Sequence, residues 1–288
     1  MRVPDSATRL SILRDLEIRQ AAVAESQRRL VTGRRVETVS DDPVAGSQIM
    51  RLDAALRDVA RYRRNAAWAT TRMAAEDTAL TTARDILRQA KDLALTGAAA
   101  SPTDPVRQAA LAQVTQLREE MLSLANLRIG NEYIFGGAET GQPPFLANGT
   151  YIGDTVVREV QLDDGVTLPT NHTGNQVFAP ALQALDGLIQ ELASGTPATI
   201  QAQGAALGAA QDQALAAQAE LGGRLAEIER VGEALARREG QMLDRRDAVR
   251  DADPAEAAVQ AVAAQSALER AYAAISRILS TRLTDFLR

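Results

Sequence analysis

Chemistry in this chain would have to come from few residues. There is no cysteine and a single histidine, His172, which excludes disulfides, thiolate nucleophiles and Cys-ligated metals and leaves little room for imidazole catalysis. Asp41-Asp42 is an adjacent carboxylate pair of the kind that holds a divalent cation. Asp42, however, directly precedes Pro43, and Asp at an N-cap followed by Pro at the first helical position is a helix start. Asp41 is then a negative charge favourable near the positive helix end. His172, between Asn171 and Thr173, reads as a surface residue in a loop. Arg28-Arg29 and Arg34-Arg35 read as a solvated helix face and elbow rather than an anion site, because the chain carries a net charge of -5. Asn148-Gly149-Thr150 and Asn171-His172-Thr173 match the N-glycosylation triplet, but Asn-Gly has its own role in a turn and such triplets are common by chance. No phosphate loop or nucleophile elbow gathers Ser, Asp and His together. An enzyme is the weakest option, and no cofactor, metal or catalytic residue is expected.

Composition points elsewhere. The 288 residues are 45% hydrophobic but only 3% aromatic, with the apolar content largely Ala, Leu and Val, which favours helical seams over a thick globular core. The basic footprint of a nucleic-acid binder is missing. The N-terminal stretch has no uninterrupted apolar run, so neither a cleaved signal peptide nor a membrane anchor is expected.

The elements that would position these residues follow from periodicity. Over residues 5–32, Leu13, Leu16, Gln20, Val23, Gln27 and Leu30 alternate at three and four, a heptad seam weakened by two glutamines and in need of a partner helix. Gly33 ends it. After the elbow and the Ser40-Asp41-Asp42-Pro43 corner, a second helix runs over 43–95, with Leu52, Leu56, Val59, Ala66, Thr70, Met73, Leu80, Leu87 and Ala94 on one face and Gly97 as its stop. Some fifty residues at 1.5 Å rise make a rod of about 75 Å. Asp104-Pro105 starts a third helix bearing Val106, Ala110, Val114, Leu117, Met121 and Leu124, which stops at Gly130.

The character changes at Asn131. The segment 131–145 holds two of the four Phe and one of the four Tyr, with three Gly and two Pro, which is loop and short-strand chemistry. Asn148-Gly149 and Asp164-Gly165 predict type I′ hairpin turns, and a short helix is expected over 181–193. Helix resumes near Ala198 with Leu221, Leu225, Ile228, Gly232, Leu235, Glu239, Met242, Arg246 and Val249 in a seam. Gly222-Gly223 within it allows either close helix approach or a bend. Asp253-Pro254-Ala255-Glu256 is a third helix start, with Glu256 placed for a capping box. The last helix carries Leu268, Tyr272, Ile275, Leu279, Leu283 and Phe286. The expected fold is mainly α: a long helical bundle or coiled coil from both chain ends with a small β-rich domain inserted in the middle. Its expected domains are 1–40 plus 251–288 as terminal helices, 41–130 plus 198–250 as a long-helix bundle, and 131–197 as the β-rich part.

These motifs resemble a known family. LVTGRRVETVSDDPVAGSQIMRL resembles the N-terminal signature of flagellin-like axial proteins, in which a leucine-rich helix leads through a basic elbow to Ser-Asp-Asp-Pro. ELGGRLAEIERVGEAL, the turn Asp251-Ala252-Asp253 and a final helix closing in LTDFL look like the C-terminal signature. Phe135-Gly136-Gly137 with Pro143-Pro144-Phe145 resembles the hook-filament junction branch more than filament flagellin. The elbow departs from the usual pattern in Arg34-Arg35 and Val36-Glu37-Thr38.

The resemblance implies a structural protein exported through the flagellar type III channel without a cleaved signal peptide, extracellular, and assembled as a ring between hook and filament. The implied partners are further copies of itself, the hook-side junction protein (hook-associated protein 1) and flagellin, with an export chaperone as a further one, and neither nucleic acid nor membrane. The implied subunit interface is Leu13, Leu16, Val23, Leu30, Leu268, Tyr272, Ile275, Leu279, Leu283 and Phe286. Weak terminal seams independently suit helices that become ordered on assembly. A flagellin-type filament subunit is the alternative within the family, and a cytosolic coiled-coil adaptor the alternative outside it.

Overall fold

The computed structural model describes residues 5–101 and 104–286, with side chains for 10–101 and 104–277. Among the described residues the order is α1 Asp5–Thr32, α2 Pro43–Ala98, α3 Pro105–Ala125, β1 Arg128–Ile129, β2 Glu132–Tyr133, β3 Glu159–Asp163, β4 Val166–Pro169, α4 Gly174–Ser194, α5 Pro197–Arg250 and α6 Pro254–Phe286. The chain is mainly α with a small β part, as the patterning predicts. It divides into two compact units, one made of the residues up to 57 together with those from 238, the other of 58–237.

Three carboxylates start three helices. Asp42 Oδ1 accepts from Val44 N at 3.1 Å and Ala45 N at 3.0 Å, Asp104 Oδ1 from Val106 N at 2.9 Å, and Asp253 Oδ1 from Ala255 N at 2.8 Å. Each thereby satisfies backbone donors that have no partner within the helix. Glu256 accepts from Gln260 at 2.9 Å, and the cap rests on Asp253. Gly33, at φ +67°, ends α1 in the left-handed conformation that costs glycine nothing. In the terminal unit α1 packs on α6, the pairing that the seams require.

The 58–237 unit holds the large core. Met73, Leu80 and Leu87, one heptad apart on α2, are 1% exposed or less. They share a cluster with Val114 and Met121 of α3, Phe178, Leu182 and Leu185 of α4, and Leu207 and Leu221 of α5. Across α2 and α5, Gln218 ties the helices by donating to Asp77 at 2.8 Å and accepting from Arg84 at 2.7 Å. Two antiparallel hairpins, β1–β2 and β3–β4, complete it.

Several local expectations are corrected. The helix expected at 181–193 begins at Gly174, with Pro180 inside it. Burial of Val177, Phe178, Ala181 and Leu182 around it outweighs the one hydrogen bond that Pro180 forgoes. Gly130 does not end α3, which closes at Asn126; at φ +59° it opens the two-residue turn between β1 and β2. Neither Asn-Gly nor Asp-Gly makes a type I′ turn, since only Gly149 and Gly165 have positive φ. The β3–β4 pair instead shifts register between Gln161 and Asp163, a bulge that absorbs the turn. On α2 the buried residue of that turn is Ala69 and not Thr70, whose hydroxyl donates to Ala66 O at 2.9 Å. His172 is buried at 6% exposure, because the segment before α4 packs its ring against Glu76 of α2. Asn171, at 1% exposure, is closed to glycosylation in the folded chain.

Candidate assembly surface on the terminal helices

α1 and α6 lean on each other and leave apolar side chains in water. On α1, Leu16 and Val23 are half-buried while Leu13 and Leu30 are exposed; on α6, Leu268 and Ile275 are half-buried and Tyr272 exposed. Leu279, Leu283 and Phe286 lie outside the residues whose side chains are described. Exposure extends beyond the expected seam to Leu10, Ile18 and Val31 of α1 and Val259 and Val262 of α6. Val259 and Val262 stand three apart in an Ala-rich first half of α6, and that spacing was the available signal. A direct polar link across the pair comes from Gln20, one of the two seam glutamines, which donates to Tyr272 Oη at 2.8 Å. Two helices cannot cover one another all round, so this unit presents exposed apolar side chains on both helices.

The corner beside these helices is cross-braced. Arg35 N and Val36 N donate to Arg250 O at 2.7 and 3.1 Å, and Ala252 N donates to Gly33 O at 2.9 Å. The Arg35 guanidinium reaches Val249 O at 2.9 Å and Asp42 at 3.2 Å. Arg35 is therefore a strut rather than a freely solvated charge, while Arg28 and Arg29 pair with Glu25 along α1. Asp41 does more than complement a dipole: its Oδ2 accepts from Glu37 N at 3.0 Å and Thr38 N at 2.8 Å, closing the elbow. The Thr38 and Glu37 amides hold the Asp41 carboxyl below the ordinary range, and the Ala45 amide and Arg35 do the same for Asp42. Among the described residues no group of His, Asp and Glu could hold a metal ion. Ser40 is exposed beside them, and Val36 is buried. Gly46 fits the corner closely, since a Cβ there would stand 3.0 Å from Val39 Cα.

The loop motif belongs to the other unit and is interior. Phe135 is fully buried edge-on to Phe178, with ring centroids 4.6 Å apart, and Phe145 packs on Tyr151 at 5.1 Å. Gly136 O accepts from Asp154 N at 3.3 Å, beside Gly137, and Ala138 N donates to Asp154 Oδ1 at 2.8 Å. Pro144 is buried with its carbonyl accepting from Ile152 N at 2.8 Å, whereas Pro143 is exposed. The Tyr151 hydroxyl donates to Asp154 O at 2.5 Å, and burial with the Asp154 charge pushes its pKa up to about 12. The motif thus holds the middle segment together.

Two polar constructions escape the sequence. Arg107, fully buried, donates to the carbonyls of Leu192 at 2.7 Å, Glu191 at 2.8 Å and Gly195 at 2.7 Å, closing the C-terminus of α4 with a cation. Arg72, also buried, donates to Glu132 at 3.1 Å, and Arg158 donates to the same Glu132 oxygen at 3.0 Å. Both guanidinium groups lie over Trp68, the sole tryptophan, at 5.6 and 5.4 Å from the ring centroid.

Comparison with known proteins places this geometry. Residues 5–140 match the model of the bacterial flagellin N-terminal helical region. Flagellar hook-associated protein 3 of Escherichia coli is 29% identical over 168 residues, 58% of this chain and 53% of the relative. The chain spans about half the length of the curated relatives it matches. A solved flagellar hook-associated protein structure from Vibrio parahaemolyticus superposes with a TM-score of 0.66 at 24% identity, over 73% of this chain and 99% of that one. The flagellar junction protein FlgL from Legionella pneumophila gives 0.56 at 15% identity, over 72% and 100%. Over residues 5–140 the chain is similar to the bacterial flagellin N-terminal helical region, in sequence it is similar to flagellar hook-associated protein 3 over about half that protein's length, and in fold it is similar to FlgL structures.

Proposed function

We propose that the chain is a structural component of the bacterial flagellum that joins hook to filament as a ring of subunits, with α1 and α6 as the subunit interface. The observation that carries this is the set of exposed apolar side chains, Leu10, Leu13, Ile18, Leu30, Val259, Val262 and Tyr272, left uncovered on a terminal helix pair in a chain similar to hook-associated protein 3. Full burial of such a side chain is worth about 1.5–3 kcal/mol, against about 4–15 kcal/mol lost on association. Several must therefore be buried together, as a ring of neighbours would do. In this proposal residues 1–40 and 251–288 form the inner layer, 41–130 with 198–250 the long-helix bundle, and 131–197 the outer part. Neighbouring copies, hook-associated protein 1 on one side and flagellin on the other are the partners, reached after export without a cleaved signal peptide, with a chaperone covering the exposed apolar side chains beforehand.

Electron microscopy of cells lacking the gene, with an assay of flagellin in the medium, tests the role. Hooks without filaments and shed flagellin are expected. Filaments of normal length and number would overturn it.

A further inference from the structure

The segment Thr170-Asn171-His172-Thr173 is polar and buried throughout. His172 Nδ1 stands 2.6 Å from Glu76 Oε1, its backbone N–H donates to the same oxygen at 3.2 Å, and Nε2 stands 3.3 Å from Glu220 Oε2. A neutral imidazole donates from one nitrogen only, so a ring with a carboxylate oxygen at each nitrogen is satisfied as the imidazolium. Glu76 is 2% exposed, and a buried carboxylate is costly unless paired. The charged groups facing the ring are Glu76 from α2 and Glu220 and Arg224 from α5. Arg224 pairs with Glu220 and reaches Asn171 O at 3.4 Å. One turn before Glu76 on α2, Arg72 is held by Glu132.

We propose that His172 is a proton-operated latch: charged, it binds the segment before α4 to both α2 and α5; neutral, it gives up one carboxylate and loosens the 58–237 unit. Burial pushes the imidazole pKa down, as the Arg224 charge does, but the hydrogen bond and charge of Glu76 and the hydrogen bond to Glu220 together outweigh them, and the net direction is upward. The stabilisation is accordingly present in full below the ordinary imidazole value near 6.5 and is lost as pH rises through the higher folded value. The latch closes in acid and opens in alkali, opposite to a histidine buried as the neutral ring.

As the sole histidine of the chain, His172 gives an unambiguous NMR titration in the intact protein. Its midpoint should lie above that of the same residue in the urea-unfolded chain, and Glu76→Gln should lower it. The unfolding constant should grow with pH by about tenfold for each pH unit of that elevation, and His172→Gln should abolish this increment. A folded midpoint at or below the unfolded one, or the same pH dependence in His172→Gln, would overturn the latch. The wild-type titration decides the matter even where a variant fails to fold.

Discussion

Arg35 on the elbow after α1 donates to the carbonyl of Val249, in the last turn of α5, at 2.9 Å. With the backbone bonds from Arg35, Val36 and Ala252, this fastens the two chain corners that precede α2 and α6. The exposed apolar side chains of α1 and α6 belong to the same unit as this braced corner.

Acid should undo the elbow. Asp41 and Asp42 titrate below the ordinary carboxylate range because backbone amides and Arg35 bind their charged forms. A depressed folded value means the contribution is present above the unfolded value, near 3.9, and is lost as pH falls through the folded one. Amide exchange at Thr38 and Ala45 should therefore accelerate at low pH, beyond the intrinsic trend, while that of Leu185 in the other unit's core stays protected. Equal acceleration at all three would show that the carboxylates do not hold the corner.

Gly46 and Gly222 should respond oppositely to alanine. A methyl at 46 meets the Val39 backbone at 3.0 Å, and crowding of this sort costs about 1–3 kcal/mol, more than the helix gains. A methyl at 222 meets nothing within 4 Å, so Gly222→Ala should stabilise α5 by about 1 kcal/mol. Denaturant unfolding of both variants checks the pair. Loss of assembly in a stabilised Gly222→Ala would assign Gly222-Gly223 to close packing against another subunit.

Arg107→Leu should cost about 3 kcal/mol or more in urea unfolding, because the carbonyls of Glu191, Leu192 and Gly195 lose their charged donor inside the protein. Lysine should recover little, lacking the planar fork that serves three acceptors. Asp104→Ala, which removes one N-cap bond, should cost only about 1 kcal/mol.

Local chemistry was legible in the sequence. Asp-Pro at 42, 104 and 253, and Gly33 after a heptad seam, state where helices begin and end because each acts on its own neighbouring amides. What was hidden depends on residues far apart in the chain. His172 is buried by Glu76 and Glu220, and nothing in Asn-His-Thr announces either. Arg107 looks like one more charge on α3 until α4 ends against it. Pro180 carries a breaker's signal that the burial of Phe178 and Leu182 overrides. The spacing of α1 marks a helix, yet spacing cannot tell that Leu13 and Leu30 stay exposed while Leu16 and Val23 are half-buried.

The most direct test of the proposed assembly surface is to place Leu13→Asp with Val262→Asp in a strain lacking the gene and follow export, Trp68 fluorescence and filament growth. Both side chains are exposed in the single chain, so the variant should be exported and keep the wild-type Trp68 emission of its 58–237 unit, while filaments fail to grow and flagellin appears in the medium. Normal filaments from that variant would contradict the assignment of α1 and α6 as the subunit interface.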